Sequence, residues 1–320
     1  MPSPVALFVY ARPEHTRRTL SALQQNVLAE ESDLIIYSDA ARSREQHDAV
    51  REVRALLETV TGFRSLTIVH RPENFGLAKS IITGVTEVLE KSVRVIVLED
   101  DMVTSPYFLS FMNGALDLYA HNECVASIHG YQYPVREKLP ETFFLPGADC
   151  WGWATWRRAW AMFNPDGQYL LDELHRRKMT RAFNLNGAYP YSKMLENQIN
   201  GKNDSWAIRW YASTFLAGKL TLYPGRSLVQ NIGNDLSGAH SGATSKYDTR
   251  LSETPIALHD IPVEPSHRGM KANERFHRRL QPLFRRIAYR LMPASGITIV
   301  KKYLHIFYDR NPEKGITLKR

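Results

Sequence analysis

The chain of 320 residues predicts an α/β protein built on a doubly wound, mostly parallel sheet. Three observations carry that expectation. Short aliphatic and β-branched runs alternate with segments of helical period over the first 130 residues. The run Val93–Leu98 ends in three successive carboxylates, Glu99, Asp100 and Asp101, at a strand's carboxyl end, where open α/β sheets collect ligands. Beyond residue 140 the texture changes, and all six tryptophans fall between Trp151 and Trp210.

In chain order, Val5–Tyr10 reads as a first strand and Glu14–Leu28 as a helix. Asp33–Ser38 is a second strand, followed by a helix over Ser43–Val60 with apolar residues at helical spacing. Ser65–His70 is a third strand. Asn74-Phe75-Gly76 turns into a helix over Leu77–Leu89, and Val93–Leu98 is the fourth strand. Pro106–Tyr119 is a helix with its proline in the first turn, where a missing N–H matters least. Cys124–His129 is a fifth strand. Helices are then expected at Thr155–Phe163, Leu170–Ala182, Tyr191–Ile199 and Ser205–Ala217, with short strands at Leu220–Tyr223 and Leu228–Ile232. This divides the chain into residues 1–245, with halves 1–130 and 131–245, and a C-terminal extension 246–320.

Composition narrows the function classes. With 43% hydrophobic and 23% charged residues this is the make-up of a globular protein, and no stretch of about eighteen uncharged apolar residues reads as a spanning helix. The chain passes from Met1-Pro2-Ser3-Pro4 directly into a strand without a basic-then-apolar export segment, and its two cysteines, Cys124 and Cys150, lack CxxC spacing. The expectation is a cytoplasmic protein. The net charge of +8 is concentrated in residues 271–290, where Lys271, Arg275, Arg278, Arg279, Arg285, Arg286 and Arg290 interleave with Phe276, Leu280, Leu283, Phe284, Ile287 and Leu291. That pattern reads as a basic amphipathic helix, suited to an anionic membrane surface on the inner face of the plasma membrane or to docking on the protein itself. The basic block stands without a nucleic-acid reader motif, so no nucleic-acid partner is expected.

The acidic strand end carries the chemistry. Three adjacent carboxylates repel one another unless a cation balances them. Oxygen ligands suit Mg²⁺ or Mn²⁺, and Mg²⁺ is commonly shared with substrate phosphates. The alternative is an acidic loop that favours the amino end of the next helix. The clustered tryptophans fit apolar sugar faces, with Trp151 and Trp153 in a glycine-containing loop as surface candidates, or else core packing, the reading preferred for Trp156 and Trp160 on one helix.

Assembled, these segments resemble the GT-A glycosyltransferases, and among them the family-2-like bacterial enzymes and the N-acetylglucosaminyltransferase I type, over residues 5–245. That resemblance implies a Rossmann-like sheet, a divalent metal and a nucleotide-sugar donor. Four places carry it. Tyr10-Ala11-Arg12-Pro13 follows the first strand, and the resemblance sets Tyr10 and Arg12 against the nucleotide; a solvated arginine is the alternative. Ile36-Tyr37-Ser38-Asp39 follows the second strand, with Asp39 either reading a nucleobase imide, which favours a UDP-sugar, or capping a helix. Glu99-Asp100-Asp101 matches the DxD-type motif, with Asp101 as metal ligand and Glu99 and Asp100 as helpers; Lys79 reaches toward the nucleotide or lays its stem on the core. Leu228–His240 is a glycine-punctuated loop in which His240 is placed to complete the metal shell, or is a surface residue.

An inverting transfer needs a carboxylate base for the acceptor hydroxyl. The resemblance directs attention to Asn203-Asp204-Ser205-Trp206, so Asp204 is the first candidate, or else the cap of the following helix, with Asp149 and Glu196 as alternatives. The N-acetylglucosaminyltransferase I type has its acid inside a Trp-Asp-Asp-Trp run, and the chain departs from it there, having Ala207 after Trp206. Trp151, Trp153 and Trp206 are the expected acceptor platform. The reading is thus a metal-dependent, inverting glycosyltransferase of bacterial surface polysaccharide or glycolipid synthesis, acting on a saccharide or lipid-linked acceptor. The rivals are a sugar nucleotidyltransferase, which usually carries a glycine-rich basic loop that Tyr10-Ala11-Arg12-Pro13 lacks, and a non-catalytic carbohydrate-binding protein.

Overall fold

A computed structural model describes residues 1–235 and 244–281. The strands of its main sheet are β1 (Val5–Val9), β2 (Asp33–Ser38), β3 (Ser65–His70), β4 (Arg94–Glu99), β6 (Val125–His129), β7 (Thr142–Pro146), β8 (Trp153–Trp156) and β9 (Leu220–Pro224). These eight lie in the order β3-β2-β1-β4-β8-β6-β9-β7. Parallel pairing joins β1 to β2 and β4, β2 to β3, and β6 to β9. Only β8, which runs against both β4 and β6, and β7, which runs against β9, are reversed. The result is the mixed α/β, mostly parallel architecture flanked by helices that the GT-A resemblance implied.

Side-chain alternation builds two cores. Val5, Leu7 and Val9 of β1 point to one face, where they meet α1 (Pro13–Gln24), α2 (His47–Leu57) and α4 (Phe108–Leu118). Ala6 and Phe8 point to the other, against α3 (Gly76–Lys91), α5 (Arg157–Trp160) and α9 (Trp206–Leu216). Both faces being covered explains the nearly continuous apolar strands. Outside α9, a third cluster forms from Leu170, Leu171 and Leu174 of α6 (Gly167–Arg176), Phe183 of α7 (Thr180–Phe183) and Leu195 of α8 (Tyr191–Ile199).

The expected helix over Thr155–Phe163 is not what forms. Trp153–Trp156 is a fully buried strand wedged antiparallel between β4 and β6, and only Arg157–Trp160 turns helical. Alternation wins because Trp153 and Thr155 face opposite layers from Ala154 and Trp156, and two strands offer hydrogen bonds on both sides. Trp156 and Trp160 therefore share no helix face, although both are core; their indole N–H groups donate to Leu116 O and Thr86 Oγ1. Strand β7 and the short β5 (Met102–Thr104) were not expected. The latter pairs antiparallel with β10 (Val229–Asn231), returning the late loop to the acidic tip of β4.

One compact unit runs from Met1 to Phe276 and a second comprises His277–Arg320. Ile256 is buried, Leu258 lies over Gly114, and Phe144 bridges to Pro265. The helix α10 (His267–Leu280) begins inside the main unit, with Ala272 and Phe276 buried. Phe276, counted in the basic amphipathic stripe, packs on Tyr133 at 5.1 Å, so that turn is a docking face. Arg285, Arg286 and Arg290 lie outside the described residues. No helix among the described residues is long and apolar enough to cross a membrane.

Candidate functional site

Strand β4 delivers Glu99, Asp100 and Asp101 to the edge of the sheet, and β1 delivers Tyr10 and Arg12 beside them. The Arg12 guanidinium bridges the two aspartates, touching Asp100 Oδ1 and lying 3.0 Å from Asp101 Oδ2. Helix α1 steadies the turn through Thr19 Oγ1, which donates to the Asp100 carbonyl at 2.8 Å. Burial pulls the Arg12 pKa down, but the charges of Asp100 and Asp101 overcome it and hold the group above its ordinary value. For Glu99, burial and then the charges of Asp101 and Asp100 push the carboxyl upward, with Arg12 opposing. Asp100 is likewise raised by burial, against the pull of Arg12. One guanidinium thus balances part of a negative cluster that burial makes costly.

Asp101 is 8% exposed, and its buried Oδ1 has no hydrogen-bond partner among the described residues. Above it, Ile232 N donates to the Asp101 carbonyl at 2.9 Å and Gly233 lies on the carboxylate. A Cβ at Gly233 would overlap Asp101 Oδ2 and stand 3.0 Å from Arg12 Nη1. His15 of α1 pairs with Asp235 across 3.1 Å, fastening the same loop. Neither Gly233 nor His15 was singled out by the sequence; the glycine-punctuated loop was the available signal. His240 lies outside the described residues.

Among the described residues, no three His, Cys, Asp or Glu side chains form a metal cluster. The donor set nevertheless fits a divalent ion such as Mg²⁺ or Mn²⁺. Such an ion needs only one or two protein carboxylates, and Asp101 offers a buried oxygen that no described residue satisfies.

Asp39 is 6% exposed and takes the capping role, on a helix that begins 37 residues further along the chain. Its Oδ1 accepts from Ala40 N (2.9 Å) and Phe75 N (2.8 Å), its Oδ2 from Asn74 Nδ2 (3.1 Å) and Gly76 N (2.9 Å). Four donors thus meet the roughly four acceptor positions of this carboxylate. Asp39 thus caps α3 from the neighbouring loop. Lys79 lies 3.8 Å over the Phe75 ring and 3.6 Å from Glu73. Tyr10 turns its hydroxyl to Gln46 and accepts from Arg42 N.

The base candidates separate clearly. Asp204 is 68% exposed and pairs with Arg209 at 3.5 Å, while Ser205 caps α9 by accepting from Ile208 N. Glu196 pairs with Lys193 one helical turn earlier. Asp149 is half-buried in the segment that leads into β8. Gly147 and Gly152 bracket it with φ of +82° and +64°. A Cβ on the first would strike the Tyr211 ring; on the second it would lie 2.7 Å from Val229 Cγ2 and 3.3 Å from Leu98 Cδ2. The segment therefore passes beside the residue that precedes Glu99. Cys150 feels both sites: burial pushes its thiol up, followed by the charges of Asp149, Glu99 and Asp101.

Around Asp149 stand tyrosines from distant parts of the chain. Tyr133 donates to Asp149 Oδ2 at 3.4 Å. Burial, then the Asp149 charge, pushes up the hydroxyls of Tyr131, Tyr133, Tyr191, Tyr211 and Tyr223. Trp151 joins them, edge-on to Tyr131 at 4.7 Å and to Tyr247 at 5.7 Å. The expected platform is otherwise dismantled: Trp153 and Trp206 are 0% and 2% exposed and stack on each other at 5.4 Å in the core. They were drawn inward because strand β8 and helix α9 present them to the same layer.

No family's sequence profile and no curated protein matches the chain. Among solved structures it is similar to a mannosyltransferase from Pyrobaculum calidifontis in complex with GDP-Man and Mn²⁺, at 15% identity and a TM-score of 0.29, over 42% of this chain and 38% of that one. It is also similar to a mannose-1-phosphate geranyltransferase from Thermus thermophilus (14% identity, 73% and 77% of the chains, TM-score 0.35). A third is mouse xyloside xylosyltransferase 1 in its apo form (12% identity, 55% and 77%, TM-score 0.36). This chain thus spans well under half of the mannosyltransferase's length.

Proposed function

We propose that this chain is a metal-dependent glycosyltransferase that moves a sugar from a nucleoside diphosphate donor to a saccharide acceptor, with inversion. The observation that carries the reading is the acidic tip of β4. There Asp100 and Asp101 share the Arg12 guanidinium, and Asp101 keeps one buried oxygen without a partner among the described residues. Asp101 would hold Mg²⁺ or Mn²⁺ together with the donor's phosphates, and the bound ion would stabilise charge on the departing diphosphate. Arg12, already held at the tip by both aspartates, is suited to the same phosphates. The Gly233–Asp235 segment, fastened by His15, would keep water from the donor.

Asp149 is the better-placed base. It sits on the segment that passes Leu98, it is half-buried, and its Oδ2 faces the Tyr133 hydroxyl. An acceptor hydroxyl bound there would give its proton to Asp149 as it attacks the anomeric carbon. Asp204, solvated and paired with Arg209, lacks such a setting. In this scheme residues 1–130 handle the donor and 131–245 the acceptor. Incubation with UDP- and GDP-sugars and Mn²⁺ tests the proposal. Nucleoside diphosphate should be released, and Asp101→Ala should abolish release while the thermal transition persists. Release of pyrophosphate from nucleoside triphosphate and sugar phosphate would assign the protein to the nucleotidyltransferases instead.

A further inference from the structure

We infer that Arg12 couples the metal to the donor: it opposes binding of a bare divalent ion at Asp101 and favours the ion once a nucleoside diphosphate is present. This rests on the metal-dependent reading of the site and adds how that site is regulated. One guanidinium nitrogen, Nη2, contacts Asp100 Oδ1 and lies 3.0 Å from Asp101 Oδ2, so a single positive group spans both aspartates. Tyr10 N donates to Asp100 Oδ2 at 3.4 Å. Asp101 Oδ1 is then the one oxygen of the two carboxylates without a partner among the described residues.

Arg12 is held in that place from several directions. Its carbonyl accepts from Thr16 N at 3.0 Å and from Thr16 Oγ1 at 2.9 Å, which ties the residue to the first turn of α1. Pro13 follows it at the start of the helix and keeps its backbone extended. Gly233 stands on the other side, since a Cβ there would lie 3.0 Å from Arg12 Nη1 and overlap Asp101 Oδ2. The Arg12 and Asp101 side chains are only 20% and 12% exposed, so solvent ions screen them little.

Two opposite signs follow. A bare ion taken by Asp101 Oδ1 would share one carboxylate with the guanidinium, and two cations so placed repel. A diphosphate reverses the balance, because its charges attract the guanidinium and the ion together. Linkage makes the coupling reciprocal: nucleotide raises the affinity for the ion by the factor by which the ion raises the affinity for nucleotide. A residue that only propped the acids would move both affinities in the same direction.

Two binding measurements on the full chain test this: bare Mn²⁺ by electron-spin resonance of the unbound ion, and UDP or GDP by calorimetry with and without Mn²⁺. In Arg12→Gln, which keeps a stem without its charge, Mn²⁺ alone should bind on the order of tenfold more tightly, and nucleotide without metal on the order of tenfold more weakly. Arg12→Met should do the same, and it carries the test if glutamine unsettles the turn. Arg12→Lys should keep bare Mn²⁺ binding within about threefold of the parent, since the charge remains. Bare Mn²⁺ binding that is unchanged or weaker in both neutral variants, while Mn²⁺ still raises nucleotide affinity in the parent, overturns the inference and leaves the metal reading standing. Equal nucleotide affinity with and without Mn²⁺ in the parent removes the metal reading, and the inference with it.

Discussion

Replacing Asp39 by alanine discriminates between a structural clamp and a ligand contact. The carboxylate takes the N–H groups of Phe75 and Gly76 at the start of α3, together with Asn74 Nδ2 and Ala40 N. Asn74 Nδ2 keeps a second acceptor in the Ala40 carbonyl at 2.7 Å, so two backbone donors of the α3 start are stranded. Loss of a helix cap costs about 0.5–2 kcal/mol, and a buried unsatisfied donor about 1–3 kcal/mol. Phe75 and Gly76 are only half-buried, so water offsets part of the second figure. The destabilisation expected for Asp39→Ala is therefore about 2–3 kcal/mol, with Asp39→Asn intermediate because it keeps one acceptor oxygen. Urea unfolding of both variants measures this as a lowered midpoint with unchanged slope. If Asp39→Ala unfolds within about 0.5 kcal/mol of the parent while losing nucleotide binding, the clamp is refuted and Asp39 reads the nucleotide.

Three further predictions concern the site and its surroundings. Gly233→Ala should abolish donor turnover with little change in the urea midpoint, because the new Cβ displaces Asp101 or Arg12; full activity would show that the loop does not close on the acids. Asp149→Asn should lower transfer on the order of a hundredfold, the scale of a lost general base, whereas Asp204→Asn should change it less than about twofold; the reverse order would reassign the base. His129, fully buried, is held below its ordinary pKa of 6.5 chiefly by burial. The unfolded chain therefore takes up a proton that the folded chain refuses, and stability is lost as pH falls below about 6.5, by at most about 1.4 kcal/mol per pH unit. His129→Phe should flatten that limb in urea unfolding between about pH 7.5 and 5.5, and parallel limbs would refute it.

Much of the fold is written in local pattern. The strands Asp33–Ser38 and Ser65–His70 are found at their expected limits, because alternation and aliphatic composition are properties of consecutive residues. The acidic tip was legible for the same reason, since three adjacent carboxylates after a buried strand need no tertiary information to be noticed. Strand β8 was misread as helix because Trp156 and Trp160 have helical spacing; the two open strand edges that capture residues 153–156 exist only in the assembled sheet.

The sequence by itself determined an α/β sheet and the place where negative charge collects on it, since both follow from neighbours along the chain. Tertiary structure alone decided which residues meet there. It made Asp39 the cap of α3, laid Gly233 over Asp101, buried Trp153 against Trp206, and gathered tyrosines from positions 131 to 223 around Asp149. The physical reason is sequence separation: side chains well beyond a helical or strand repeat apart converge only when the layers pack, and no local period records that convergence.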